Sequence, residues 1–291
     1  MSGDFLGQMA LASRERVLRA RQLCSEQAMI ERARAAPRPP ALRLSRLGFD
    51  LIAEVKRRSP ALGVLAHADA DLPARVLDYA QAGAAAVSIL TEPSRFDGAL
   101  DHLQQSARTL AGRIPAMRKD FLVDPYQVYE ARAAGAGGVL VILRMLSASG
   151  QRALIEASAE LGLFALLEAF DEADVARAAE LVEAYGGGCT LLVGVNCRDL
   201  ATLEVVPGRL TALAARLPAA APRVAESGVL SGADAARLVA AGYDVALVGG
   251  ALMQAADPAA LVRSMLAAGR AAAAAAQGTD TERTCGSRSA G

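Results

Sequence analysis

From residue 48 onward one pattern repeats along this chain: a short apolar run, a longer amphipathic stretch, a glycine, then the next apolar run. Strand-like runs fall at Leu51–Lys56, Ala85–Leu90, Ile114–Lys119, Gly138–Leu143, Phe164–Glu168, Leu191–Asn196, Pro222–Glu226 and Val245–Val248, eight in all. Between them, "PARVLDYAQAG", "DPYQVYEARAAG", "DEADVARAAELVEAYG" and "SGADAARLVAAG" carry helical spacing, acidic or Ser/Asp starts and glycine stops. Strands joined by helices must run parallel and be covered on both faces, and eight such units predict an α/β chain closed into a (β/α)8 TIM barrel. An open doubly wound sheet is the weaker reading, since no Gly-x-Gly-x-x-Gly follows the first strand.

The flanks differ from the repeats. Residues about 8 to 36 read as an extra helix closed off by "PRPP", so 1–47 is expected to be a helical extension capping the barrel. The catalytic barrel is expected over 48–270, with Asp257–Gly269 as its eighth helix. Beyond it apolar periodicity is lost, and 277–291 is expected to be a disordered tail.

Composition narrows the class of function. Formal charge is zero and the pI near 6.8, which leaves no electrostatic footprint for nucleic acid and no basic face for a membrane. No apolar segment reaches about 18 residues, the length a membrane span requires. Arg14, Arg16, Arg19 and Arg21 are interspersed with Asp4, Glu15 and Glu26, the pattern of an amphipathic helix rather than a transit peptide. Cys24, Cys189, Cys197 and Cys285 have neither metal-type spacing nor a disulfide framework, so a reducing compartment, the cytoplasm, is expected. The histidines, His67 and His102, fall in loop or helix-start regions, which leaves a zinc site or histidine triad without its parts.

Of 31 basic residues, 29 are arginines and only Lys56 and Lys119 are lysines. Arginine serves as well on most solvated surfaces but cannot release a proton near neutrality, whereas a buried amine can be tuned to do so. Both lysines stand at strand ends. Since the carboxyl ends of barrel strands converge on one mouth, Glu54 and Lys56 from strand 1 become neighbours of Lys119 and Asp120 from strand 3. Glu168 joins them from strand 5, Asn196 and Arg198 from strand 6, and Glu226 and Ser227 from strand 7. On a single strand, Glu54 and Lys56 would read as a solvated ion pair worth little. In a converging mouth they are candidates for proton exchange. Burial and like charge would lower a lysine pKa and carboxylates raise it, a contest the sequence leaves open.

Phosphate capture is the second theme. Barrels commonly bind that group at turns after strands 7 and 8, where this chain has "ESG" at Glu226–Gly228 and "VGG" at Val248–Gly250, and Ser59 after strand 1 adds a hydroxyl.

"LIAEVKRRSP", "SILTEPSRFDGALDHL", "MRKDFLVDPYQVYEARAAGAGGVLVI", "GVNCRDL", "VAESGV" and "DVALVGGALM" resemble, in order and spacing, the signatures of the indole-3-glycerol phosphate synthase family of tryptophan biosynthesis. The resemblance covers about 48 to 265. It implies closure of an indole ring on 1-(o-carboxyphenylamino)-1-deoxyribulose 5-phosphate with loss of carbon dioxide and water, without metal or organic cofactor. It further implies Lys119 as general acid, Lys56 as holder of the anthranilate carboxylate, Glu168 as the carboxylate serving dehydration and Glu54 as charge balance for the lysines. Asn196 and Ser227 would position substrate hydroxyls, and Ser59, Gly228, Gly249 and Gly250 would take the phosphate. Phe121, Leu140 and Ile142 would wall the aromatic ring, with Arg198 also facing the substrate.

The chain departs from that pattern at Ala61 and Leu62 in the loop after strand 1, at Ala99, at Phe170 where the family usually has histidine, and at Cys197. None removes a proposed proton donor or acceptor, so an active enzyme is expected, in primary tryptophan synthesis or as a divergent copy in a specialised indole pathway. Cys197 reads as a small buried filler rather than a nucleophile. Two rivals stay open: a Schiff-base aldolase using Lys56 or Lys119 on a sugar phosphate, and a catalytically silent barrel that binds a phosphorylated metabolite. A monomer or weak homo-oligomer is expected.

Overall fold

The computed structural model describes residues 5–61, 63–65, 71–200 and 202–286, with side chains described as far as residue 277; Leu62 and His67 lie outside the described residues. Eight strands close into a barrel: β1 (Asp50–Val55), β2 (Ala86–Leu90), β3 (Ala116–Lys119), β4 (Gly138–Ile142), β5 (Phe164–Ala169), β6 (Leu191–Asn196), β7 (Arg223–Glu226) and β8 (Val245–Val248). Each pairs in parallel with its sequence neighbours, and β1 pairs with β8 to complete the ring. The expected (β/α)8 barrel is the observed fold. β3 and β7 start after Pro115 and Pro222, later than the sequence reading, because proline has no amide to give to a ladder.

The crossover helices are α3 (Leu72–Gln81), α5 (Leu100–Thr109), α6 (Pro125–Ala133), α7 (Ala148–Glu160), α8 (Glu172–Tyr185), α9 (Arg209–Ala214), α10 (Gly232–Ala240) and α12 (Pro258–Gly286), with short α4 (Pro93–Phe96) and α11 (Gly250–Gln254) at strand ends. Side chains that the sequence placed at helix starts act as caps: Asp124, Asp171 and Ser231 accept from the amides of Tyr126, Asp174 and Asp234. α12 continues past 277, where a disordered tail was expected, carried by an alanine run with the highest intrinsic helix propensity; 287–291 lie outside the described residues.

The N-terminal segment is two helices rather than one, α1 (Phe5–Leu23) and α2 (Glu26–Ala35). Ser25 breaks the run, because its side chain accepts from the Ala28 amide and starts α2 afresh. α1 lies at the mouth: Met9 is buried with the barrel interior, and the ring of Phe5 meets Phe121 edge-on at 5.8 Å.

Two apolar layers follow from the strand period of two. Alternate residues such as Leu51, Ala53, Val139, Val141, Val193 and Val195 pack outward against the helices. The others, Ile52, Met117, Leu140, Phe164, Leu166, Leu192, Val224 and Leu247, fill the barrel interior. Following the interior series toward the carboxyl ends takes each strand from apolar to polar. Ile52 leads to Glu54, Met117 to Lys119, Leu166 to Glu168, Leu192 and Gly194 to Asn196, and Val224 to Glu226.

Candidate active site

These interior series end in a cavity of about 460 Å³ at the carboxyl end of the barrel. Its floor holds two amines and three acids. Lys56 Nζ lies 2.8 Å from Glu54 Oε1, while Lys119 Nζ lies 3.1 Å from Glu226 Oε2 and 3.6 Å from Glu168 Oε1. All five side chains are largely withdrawn from solvent, Glu54, Glu168 and Glu226 almost completely. The two lysines therefore share one enclosed mouth with the acids, as the strand-end argument requires.

Two glycines make this crowding possible. A Cβ on Gly194 would collide with Glu226 Oε1, and one on Gly249 would collide with Glu54 Oε1 and sit 3.1 Å from Lys56 Nζ. Glycine in the middle of an apolar strand marks the close approach of another group.

Electrostatics resolve the contest the sequence leaves open. Burial works against the Lys119 ammonium, but Glu226, Glu168 and Glu54 together outweigh it and raise its pKa above the ordinary lysine value. Burial likewise opposes ionisation of Glu54, yet Lys56 and Lys119 prevail and lower its pKa. Glu226 goes the other way: burial, reinforced by Glu168 and Glu54, defeats the pull of Lys119 and pushes its pKa up to about 8.

Asn196 Nδ2 donates to Glu168 Oε1 at 2.8 Å, and its Oδ1 accepts from the Arg198 amide at 2.9 Å. Its amide is engaged at both ends and fixes Glu168, whereas the sequence reading gave it to substrate hydroxyls. Arg198 lines the cavity and ties the following loop by donating to the Leu203 carbonyl at 2.6 Å.

Around this floor stand the other expected residues. Ser59, Ser227, Gly228, Gly249, Gly250, Phe121, Leu140 and Ile142 all line the cavity. Ser227 and Gly228 both have left-handed backbones, φ 70° and 71°, which for serine costs about 1–3 kcal/mol and marks a turn held by its surroundings. Ser59 belongs to a two-residue ribbon with 63–64 across the mouth and accepts from the Ala61 amide.

Sequence reasoning missed four contributors. Phe5 and Phe96 line the cavity beside Phe121; Glu226 was placed at the mouth and in a phosphate turn but given no part in the proton chemistry; Gly194 was passed over. Phe170 is buried in the barrel interior beneath the Arg144 guanidinium, 4.5 Å from its ring, and does not line the cavity. Cys197 is buried, and burial raises its thiol pKa, which suits a filler and not a nucleophile.

On the outer face of the same strand end, Asp120 is fully buried. It accepts two hydrogen bonds from Arg16 of α1, at 2.7 and 3.0 Å, and others from Thr91, Arg118 and the Phe121 amide. Ser13 of α1 donates to the Phe121 carbonyl at 2.5 Å. α1 is thus fastened to the residues immediately after Lys119. Among the described residues no cluster of three or more His, Cys, Asp or Glu is arranged to hold a metal ion, and no helix is long and apolar enough to cross a membrane.

Comparison with known proteins gives a consistent picture. The family model for indole-3-glycerol phosphate synthase matches residues 9–265. Indole-3-glycerol phosphate synthase of Mycobacterium leprae (strain Br4923) is 40% identical over 254 residues, 86% of this chain and 89% of that one. That of Mycolicibacterium smegmatis is 42% identical, covering 82% and 85%, and that of a Parafrankia species 44%, covering 75% and 78%. Among solved structures, 3-hexulose-6-phosphate synthase from Salmonella typhimurium superposes with a TM-score of 0.59 at 18% identity, over 76% of this chain and 98% of that one, a likeness of fold alone.

Proposed function

The chain belongs to the indole-3-glycerol phosphate synthase family, and from that premise we propose how its mouth carries out the reaction. The reaction closes an indole ring on 1-(o-carboxyphenylamino)-1-deoxyribulose 5-phosphate with loss of carbon dioxide and water. The observation that carries our assignment of roles is Lys119, kept charged by the acids around it, with Glu226 at 3.1 Å and Glu168 at 3.6 Å, at the floor of the cavity.

A charged amine at that place is a proton donor. In our reading Lys119 protonates the carbonyl oxygen at C2′ as the ring carbon attacks, and carbon dioxide leaves to restore the aromatic ring. Lys56, steadied by Glu54, holds the anthranilate carboxylate. Glu168, fixed by Asn196, takes the C1′ proton as the hydroxyl departs. A positioned acid and base of this kind are worth about 10²–10⁴-fold each. Phe121, Leu140 and Ile142, with Phe5 and Phe96, form the wall for the aromatic ring, while Ser59, Gly228, Gly249 and Gly250 receive the phosphate and Ser227 a hydroxyl. Residues 1–47 serve as an extension that steadies the mouth through Arg16 and Ser13. Composition supports work in the cytoplasm with no nucleic-acid or membrane partner, and we take the protein to act as a monomer or weak homo-oligomer.

A Schiff-base mechanism requires a neutral amine, the form that the carboxylates around Lys119 disfavour. The test is incubation with the carboxyphenylamino-deoxyribulose phosphate, following indole fluorescence, alongside Lys119→Arg and Glu168→Gln. Turnover in the parent and near-complete loss in both variants is expected. Either variant working at the parental rate would remove its residue from the proton path, and covalent trapping by borohydride would favour the aldolase.

A further inference from the structure

The mouth holds three acids against two amines, and the three acids are not equally provided for. Glu54 has Lys56 at 2.8 Å, and Glu168 has both Asn196 and Lys119. Glu226 has a single donor: Oε2 receives Lys119, while Oε1 is buried with no hydrogen-bond partner among the described residues, close against Gly194. A buried carboxylate with a bare oxygen bears the full desolvation cost of its charge. Glu226 and Glu168 also share one ammonium, which keeps their oxygens within about 7 Å of each other in a low-dielectric mouth. Like charges so placed do not both ionise readily.

The groups facing Glu226 come from every neighbouring element. Lys119 stands on β3, Glu168 on β5, Asn196 on β6 with Arg198 after it, and Glu54 on β1 with Lys56 just beyond. Substrate adds a carboxylate and a phosphate to this mouth, which makes a third ionised glutamate still less favourable.

The reaction itself needs a stored proton. Closing the ring puts one proton on the C2′ oxygen, expelling the hydroxyl as water takes a second, and C1′ gives one back. Loss of carbon dioxide from an ionised carboxylate moves none. Each turnover therefore takes up one proton. We propose that Glu226 enters the cycle as the carboxylic acid and holds, directly behind Lys119, the proton that each turnover consumes.

Lys119 gives a proton to the C2′ oxygen, and the resulting neutral amine takes the proton of Glu226, leaving a carboxylate beside a restored ammonium. Lys119 gives its second proton to the departing hydroxyl, and Glu168 accepts the proton from C1′. Glu168, 3.6 Å from Lys119 Nζ, returns that proton to the amine. Glu226 alone ends one proton short, and water resupplies it after product leaves. Glu226 acts through Lys119, and its pKa of about 8 lets it regain its proton at neutral pH between turnovers.

The inference rests on the roles given to Lys119 and Glu168, and its test separates the two. Selectively ¹³C-labelled glutamate in the ligand-free protein is expected to show one carboxyl carbon titrating near pH about 8, missing in Glu226→Gln. The parental kcat/KM is expected to fall above about pH 8, with Glu226→Gln at least ~10-fold slower and lacking that limb. A parent with no glutamate protonated at about pH 6 would overturn the proposal, as would a Glu226→Gln variant with the parental rate and pH profile. If Glu226→Gln does not fold, the parent's titration decides alone. That titration is read without substrate, so its failure counts against Glu226 and not against the reaction.

Discussion

Gly194→Ala adds one carbon beside Glu226. The added Cβ would collide with Glu226 Oε1 and lie 3.1 Å from Leu166 Cδ1, itself tightly packed in the barrel interior. To restore ordinary contact the carboxylate must retreat by about 1 Å, and from 3.1 Å that movement breaks its hydrogen bond to Lys119. A hydrogen bond to a charged group is worth about 1.5–3 kcal/mol. Expressed in the transition state, that is roughly a 10- to 100-fold fall in kcat/KM. Stability moves less: overpacking costs ~1–3 kcal/mol while replacing a strand glycine returns ~0.5–1 kcal/mol, so Tm should drop by no more than about 10 °C. Steady-state indole fluorescence and a thermal melt measure the two quantities. Gly187→Ala, whose Cβ would meet nothing within 4 Å, is the control and should match the parent in both. A Gly194→Ala protein that melts like the parent and keeps kcat/KM within about 2-fold would refute the claim that the placement of Glu226 matters.

Other perturbations follow from the same geometry. Gly249→Ala should displace Glu54 from Lys56 and lower kcat/KM by about 10-fold or more, measured in the same assay. Arg16→Met strips two charge-assisted hydrogen bonds from buried Asp120 while Arg118 and Thr91 remain, so a loss of ~1.5–3 kcal/mol and a Tm lower by roughly 3–12 °C are expected. Burial opposes the Asp120 charge, but Arg118 and Arg16 overcome it and hold its pKa down at about 2, below the unfolded aspartate value of about 3.9. Its contribution is therefore full at neutral pH and is lost as pH falls from about 4 toward about 2, so the stability gap between parent and Arg16→Met, read from urea unfolding, should narrow in acid.

The barrel was legible because three independent signals agreed in this chain: apolar runs of strand length, capped amphipathic stretches and glycine stops. The N-terminal break was less so, since Ser25 reads equally as a surface helix residue and as a cap. Lys56 and Lys119 stood out through scarcity, and the period of two put Glu54 and Glu168 on the same inner face. Phe5 and Phe96 were invisible, because which helices reach over the mouth is decided by tertiary packing such as the Arg16–Asp120 clasp.

The contact of Glu226 with Lys119 was hidden for a different reason. Strand alternation tells which residues point inward; it does not tell which inward residues of different strands stand at the same height, because that depends on the stagger of the closed sheet. Here Glu168 pairs across with Gly194, and Asn196 with Glu226. The stagger brings the Glu226 carboxyl back against Gly194 and within reach of Lys119 on β3. The sequence carried one trace of this. "LLVGVN" interrupts a run of large apolar residues with a glycine at an inward position, in the middle of a strand where it lowers strand stability and fills no space. A glycine there makes sense only if another group occupies the volume its side chain would have taken. In a mouth already carrying two lysines, that group is an acid leaning in from the next strand.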